Sequence, residues 1–258
     1  MIQALVLDMD GVLWHDSEAI GDLPAIFAKI SKLGLRVAFA TNNATKTIDQ
    51  FVEKLASFGV KAEPWQIVTS AVATAHFLKQ KHPQGGTVYA VGEAGLLQTL
   101  ADAGFRHSAQ NPVAVVAAMD RGITYEKLKQ AARLIHAGVP FIGTNPDRTF
   151  PTPEGVAPGA GTMLAAIEAA AGVAPQIIGK PNPAMYRFAL ERLGASIAKT
   201  LVIGDRLETD IAGAQALGIP CALVLSGVSS QEQAQAWQPA PDIVAENLAA
   251  VVRQLESQ

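Results

Sequence analysis

Apolar residues come along this chain in two alternating rhythms. Short unbroken runs, among them Leu5-Val6-Leu7, Leu35-Arg36-Val37-Ala38-Phe39-Ala40 and Thr200-Leu201-Val202-Ile203, read as strands buried on both faces of a parallel sheet. Between the runs, apolar positions recur at helical spacing, first as Leu23, Ile26, Phe27, Ile30 and Leu33, then as Phe51, Val52, Leu55 and Phe58. Gly34 and Gly59 supply the C-terminal stops of these two helices. The order strand, helix, strand, helix implies right-handed crossovers and a parallel sheet.

A polar, turn-rich stretch from Lys79 to Gly86, with His82-Pro83-Gln84-Gly85-Gly86, marks a boundary. Beyond it a second alternating series begins. Strands are expected at Thr87–Val91, Val113–Ala118 and Pro140–Gly143, and helices at Ala94–Ala103 and Tyr125–Ala137. A loop rich in Pro and Gly is expected from Thr149 to Gly161, then a helix over Thr162–Ala171. The first series resumes with Gln176-Ile177-Ile178-Gly179, a helix through Leu193, the strand Thr200–Ile203, a helix to Leu217, a strand to Leu225 and a last helix from Leu248. The expected architecture is therefore α/β, with a parallel-sheet core made from residues 1–78 and 175–258 and a second α/β unit, 79–174, inserted into it.

Composition narrows the field of functions. With 258 residues, 49% hydrophobic and 17% charged, the chain has enough apolar material for a sizeable core. A net charge of -3 without a basic block gives no electrostatic footprint for a nucleic-acid polymer. No apolar run approaches the ~20 residues of a membrane span. The single Cys221, within Pro220-Cys221-Ala222-Leu223-Val224-Leu225, reads as a small buried side chain in a reducing compartment. The first strand starts so close to Met1 that no signal peptide is expected, and a cytoplasmic location follows.

Four polar clusters each follow an apolar strand or open a helix: Asp8 with Asp10, Thr41-Asn42-Asn43, Lys180, and Asp205 with Asp210. Each has an ordinary reading by itself: an Asp-Gly turn, a strand end, a surface lysine, a helix-start acid. Together they fall where open parallel sheets bind ligands, just beyond the carboxyl ends of strands. Asp8 and Asp10 would repel unless a cation lay between them, and a hard divalent ion such as Mg2+ suits oxygen ligands. Gly11, lacking a Cβ, lets the chain turn sharply after them. The five histidines are scattered without metal-ligand spacing.

Asp8-Met9-Asp10-Gly11-Val12, Thr41-Asn42-Asn43, Gly179-Lys180-Pro181 and Gly204-Asp205-Arg206-Leu207-Glu208-Thr209-Asp210 resemble the four motifs of the haloacid dehalogenase (HAD) superfamily. The Thr-Asn-Asn form of the second motif, Gly143-Thr144-Asn145-Pro146-Asp147 and Leu225-Ser226-Gly227-Val228 resemble its NagD/p-nitrophenyl phosphatase branch. The resemblance runs over nearly the whole chain. It implies a Rossmann-like core with a mobile α/β cap of type C2 inserted between the second and third motifs. It also implies a Mg2+-dependent phosphatase that hydrolyses small phosphomonoesters through an aspartyl-phosphate.

On that resemblance Asp8 is the nucleophile, and Asp10 is general acid to the leaving oxygen and then general base to water. Thr41, Asn42, Asn43 and Lys180 bind phosphoryl oxygens. Mg2+ is held by Asp8, the Asp10 carbonyl and Asp205, while Asp210 orients Lys180 or the Asp205 loop. Thr144, Asn145 and Asp147, after a strand of the inserted unit, are expected to face the active site, and Arg148 reads as a surface arginine. The partner would be a small phosphorylated metabolite: a sugar phosphate, nucleotide monophosphate, phosphoglycolate, pyridoxal phosphate or a p-nitrophenyl phosphate type of ester. A homodimer through the cap is compatible with the resemblance. Haloacid dehalogenation is disfavoured by Asp10 and the acidic fourth motif. A phosphomutase would need a cap that shields a phosphorylated intermediate from water. A receiver-like phosphate-binding module without hydrolysis is disfavoured by the inserted unit and by Asp10.

Overall fold

The run Ala4–Leu7 lies at the middle of a parallel sheet, with Leu5 opposite Leu201 on one side and Val37 on the other. All four of its side chains are buried. A strand covered on both faces has no polar side to alternate with, hence the unbroken apolar run. The computed structural model describes residues 1–152 and 155–257. Among these, the sheet has six strands in the order Ile243–Ala245, Cys221–Val224, Thr200–Gly204, Ala4–Leu7, Arg36–Thr41 and Ile67–Thr69.

The chain divides into two compact units. The first comprises Met1–Thr41, Asp49–Val68 and Lys180–Gln258, and the second Asn42–Ile48 and Thr69–Gly179. In the first, the helix Leu23–Lys32 buries Leu23, Ile26 and Ile30, one stripe at three- and four-residue spacing. Asp22 caps it by accepting from the Ala25 amide at 3.1 Å, and Lys29 and Lys32 stand at the negative end of its dipole. The helix Pro183–Leu193 starts on an Asn182 side chain that accepts from the Ala184 amide at 2.9 Å, and stops at a left-handed Gly194.

The second unit has its own sheet, ordered Gln176–Ile177, Phe141–Gly143, Val115–Ala117, Gly86–Val91 and Phe105–His107, with parallel neighbours. Its core gathers Tyr89, Val91, Val115, Ala117 and Phe141 from the sheet. Against these pack Ala131 and Ile135 of the helix Tyr125–His136 and Leu164 and Ile167 of the helix Ala160–Ala171. No helix among the described residues is long and apolar enough to cross a membrane.

Several expectations need correction. Lys79–Lys81, expected to open a turn-rich stretch, form the last turn of a helix, Ser70–Lys81, and the turn starts at His82. Six consecutive residues, Ser70 to Ala75, are buried, so that helix has no amphipathic stripe to betray it. Where a loop was expected after Thr149, Thr149–Thr152 and Gly155–Pro158 pair as an antiparallel ribbon, and the next helix begins at Ala160. Pro153 and Glu154, within that expected loop, lie outside the described residues. The strand Gly155–Pro158 is mostly exposed, so burial imposes no apolar pattern on it. The short elements Phe105–His107, Gln231–Ala236 and Ile243–Ala245 likewise carry too few residues to show a period.

Two glycines of the second unit separate conformational strain from steric clash. Gly138 (φ +90°) follows a helix with open space where a Cβ would stand, whereas a Cβ on Gly85 (φ +79°) would lie 2.2 Å from the Gly104 carbonyl oxygen. Gly138→Ala is expected to cost about 1–2 kcal/mol, the left-handed penalty alone. Gly85→Ala must also displace backbone and should cost clearly more, as read by denaturant unfolding of the two variants side by side.

Candidate active site

Three neighbouring strands of the first unit deliver its polar groups at their carboxyl ends. Asp8 follows Ala4–Leu7, Thr41 ends Arg36–Thr41, and Asp205 follows Thr200–Gly204. The Asp8 amide still donates to the Ile203 carbonyl at 2.8 Å, so the acid is fixed at the last rung of the sheet. Lys180 is buried, and its Nζ donates to Asp8 Oδ1 (2.8 Å), Asp210 Oδ1 (2.6 Å) and the Ala40 carbonyl (3.0 Å). Those three bonds match the three protons of an ammonium.

Asp210 sits in a widened helical turn, Leu207–Ile211, where the amides of Asp210 and Ile211 both reach the Arg206 carbonyl. Its Oδ2 accepts from the Arg206 amide at 3.1 Å, and its carbonyl accepts from the Tyr186 hydroxyl at 3.1 Å. Both carboxylate oxygens of Asp210 are thus engaged. Asp205 differs. Its Oδ2 accepts from the Val228 amide at 2.8 Å, while Oδ1 is buried with no hydrogen-bond partner among the described residues. A Cβ on Gly11 would fall 2.5 Å from Asp205 Oδ2, and one on Gly227 2.1 Å from it. Both positions must be glycine for the acid to fit. Asp10 is exposed, and its Oδ1 accepts from Trp14 Nε1 at 2.8 Å.

Within the second unit, the Asn42 carbonyl accepts from Ser70 Oγ (2.6 Å) and Asn145 Nδ2 (2.8 Å), and Asn42 Nδ2 donates to Asp147 Oδ2 (3.1 Å). Asn43 Oδ1 accepts from the amide and hydroxyl of Thr45. Thr144 and Asn145 are buried, and the Thr144 carbonyl accepts from the Gly179 amide at 2.7 Å. Arg148 is exposed.

Comparison with known proteins accords with this geometry. Residues 5–106 match the model of a family described as haloacid dehalogenase-like hydrolase, and residues 177–251 that of a HAD-like hydrolase family. A dihydroxyacetone phosphatase of Corynebacterium glutamicum is 38% identical over 242 residues, 94% of this chain and 88% of that protein. The chain belongs to the haloacid dehalogenase-like hydrolases. NagD from Escherichia coli K-12 superposes with a TM-score of 0.90 at 33% identity, over 96% of this chain and 98% of that one, which places this HAD hydrolase in the NagD-like branch. A glycerol phosphate phosphatase of Mycobacterium tuberculosis, solved in complex with magnesium, superposes with a TM-score of 0.89 at 34% identity, over 97% of this chain and 76% of that one.

The charges of this HAD site are unbalanced. Asp8, Asp205 and Asp210 each offer an oxygen within 4.8 Å of the others, against one ammonium, so full ionisation leaves two negative charges uncompensated. Burial, then Asp8 and Asp210, pushes Asp205 up to about 8. Burial also raises Asp210, to about 6, and Asp8, in both cases against the pull of Lys180. Burial alone would depress Lys180, but Asp210 and then Asp8 hold it well above the ordinary lysine range. An all-oxygen set with an orphaned Asp205 Oδ1 and a charge deficit of two fits a hard divalent cation.

The raised acids fix a sign. In the unfolded chain they lose their protons near the ordinary ~4, whereas Asp205 in the fold keeps its proton to about 8. The unfolded state therefore sheds protons first, and the metal-free protein should lose stability as pH rises from about 4 to about 8. Thermal melts in a chelator should show wild type falling relative to Asp205→Asn across that window, and a divalent cation should lift wild type most at the alkaline end. A wild-type curve parallel to that of Asp205→Asn would contradict this account.

Proposed function

We propose that this HAD hydrolase is a Mg2+-dependent phosphatase of small phosphomonoesters that works through an aspartyl-phosphate on Asp8. The observation that carries it is the Lys180 ammonium shared by Asp8 and Asp210, beside an Asp205 oxygen with nothing bound to it. Uncatalysed phosphomonoester hydrolysis is slow enough to demand accelerations of up to ~10^21, and a covalent intermediate divides that barrier.

Asp8 is proposed as the nucleophile because one of its oxygens is fixed by Lys180, which keeps the carboxylate aimed and opposes the rise that burial imposes on it. The Asp8 and Asp205 carboxylates and the Asp10 carbonyl would hold Mg2+, and Asp210, with both oxygens engaged, holds Lys180 instead. When bound, the metal draws negative charge from the nucleophile and the phosphoryl oxygens. Lys180 and Thr41, with the Asn42-Asn43 segment, would bind the phosphoryl group as charge shifts onto it. Asp10 would protonate the leaving oxygen and then take a proton from the attacking water, a role that its exposure permits.

Since these core groups recognise only phosphate, the inserted cap, proposed to span residues 79–174, is proposed to select the leaving group. Asn145 and Asp147 are bonded to Asn42, which supports a share in holding the phosphate-binding segment. The named activities of the dihydroxyacetone and glycerol phosphate phosphatases make three-carbon phosphates the first substrates to try. Sugar phosphates, nucleotide monophosphates, phosphoglycolate and pyridoxal phosphate complete the panel. A cytoplasmic setting agrees with a buried Cys221 whose thiol burial pushes up to about 11, an inert side chain.

Phosphate release from that panel should require Mg2+ and should fall by ~10^4-fold or more in Asp8→Asn. Lys180→Met should also abolish turnover and, by leaving buried carboxylates unpaired, destabilise the fold by about 3–5 kcal/mol. Failure of a folded, Mg2+-binding wild type to release phosphate from any ester would sink the phosphatase reading in favour of a binding module.

Asp147→Ala offers a separate check. Acting through Asn42, it should weaken inhibition by inorganic phosphate by about 3–10-fold, a lost charged hydrogen bond, and preserve the rank order of substrates. A changed rank order with unchanged phosphate inhibition would assign Asp147 to the leaving group.

A further inference from the structure

The orientation of Asp10 is set from within its own turn. The amides of Val12 and Leu13 donate to the Met9 carbonyl, and the Gly11 amide donates to the Trp14 carbonyl at 2.8 Å. This folding-back carries Trp14 to the side of Asp10, where the indole Nε1 donates to Asp10 Oδ1 at 2.8 Å. Trp14 is itself immobilised. It is fully buried, its ring stacks on Phe58 with centroids 5.6 Å apart, and Lys54 Nζ lies 4.2 Å from the ring centroid. A cation over an indole draws density from the ring and makes its N–H a better donor.

An indole N–H can only donate. Asp10 Oδ1 therefore accepts in both protonation states of the acid, and the proton that Asp10 carries belongs on Oδ2. We propose that Trp14 is a positioning residue that fixes the Asp10 carboxyl with Oδ2 as its proton-transferring oxygen, an inference that rests on the phosphatase reading above. As an Asp8 oxygen bonds to phosphorus the ester P–O bond breaks, and its electron pair stays on the leaving oxygen, which takes the Oδ2 proton and departs as an alcohol. Water then bonds to phosphorus and gives its proton to Asp10 Oδ2, and the bond from phosphorus to Asp8 breaks to free phosphate. The Trp14 proton moves in neither step.

Such a role has a signature that general damage lacks. An alkoxide is a poor leaving group and needs the proton, whereas p-nitrophenolate leaves well without it. Trp14→Phe retains a ring to stack on Phe58 and removes the donor together with part of the buried ring, a packing loss that weighs on both esters alike. With Mg2+ present, its kcat/KM on glycerol phosphate should fall by ~10-fold or more, a fraction of the full general-acid effect, while that on p-nitrophenyl phosphate changes by no more than about 2-fold. The inhibition constant of inorganic phosphate should not move. Asp10→Asn should show the same selectivity more strongly, and adding Trp14→Phe to it should cause no further selective loss. Equal losses on both esters, weaker phosphate inhibition, or an additional selective loss in the double variant would overturn the proposal.

A nuclear magnetic resonance experiment covers a Trp14→Phe that fails to fold, and it is independent of activity. With three tryptophans in the chain, the folded protein should give three indole N–H signals, one of which should shift in Asp10→Ala. Three unmoved signals overturn the positioning role. Absent turnover on every ester by wild type, or full turnover by Asp8→Asn, would instead remove the phosphatase reading while the indole shift still reported on the Trp14–Asp10 bond.

Discussion

Lys180 lies between Asp8 and Asp210, and the rest of the site answers to the burial of that charge. A buried ammonium is tolerable only when its protons are all engaged, and here two carboxylates and the Ala40 carbonyl engage them. Each acid is in turn placed through its surroundings: Asp8 by the hydrogen bond its amide donates to the Ile203 carbonyl, Asp210 by the Arg206 amide on its carboxylate and by the Tyr186 hydroxyl on its carbonyl. Asp205 remains as the acid whose Oδ1 has no hydrogen-bond partner among the described residues. The same bonds that make Lys180 and Asp210 a closed pair therefore leave Asp205, with Asp8, as the acids proposed to hold a metal.

Such a density of acids is a matter of space as well as charge. Gly11 and Gly227 leave room for the Asp205 carboxylate, and a Cβ on Gly204 would fall 2.2 Å from the Asp210 Cβ. Gly11 also adopts φ +81°, so its lack of a side chain serves the turn and the neighbouring acid at once. Ser226, beside Gly227, donates to the Gly11 carbonyl at 2.8 Å and ties the two glycine-bearing loops together. The motif glycines are thus part of the electrostatic construction, since they set how close the carboxylates approach.

How much of this was legible in the sequence differs from feature to feature. The apolar run into Asp8 announced itself because two-sided burial forbids polar alternation, and the acids followed from the strand end. That Lys180 meets Asp8 could be read only through resemblance to a family, because 172 residues separate the two and no local period spans such a distance. The helix Ser70–Lys81 went unread because its first half is buried all round and carries small polar residues such as Ser70 and Thr74 inward. The Trp14–Asp10 bond left no mark either. A tryptophan after Val12-Leu13 continues an apolar stretch, and only the backbone turn at Gly11 brings its one polar atom back to the acid.

The division of the chain adds a last constraint. It first passes from the first unit to the second at Thr41–Asn42 and returns for the last time at Gly179–Lys180, so Thr41 and Lys180 each stand one peptide bond from residues of the second unit. Those junction residues are braced there by Asn145 on the Asn42 carbonyl and by the Thr144 carbonyl on the Gly179 amide, and a Cβ on Gly179 would collide with that carbonyl at 2.4 Å. Thr144 and Asn145 accordingly fix the backbone next to Thr41 and Lys180, the residues proposed above to bind phosphate. In general, a polar residue buried beside such a junction matters to a reaction through placement, because sub-ångström positioning of a charged group decides how strongly it acts.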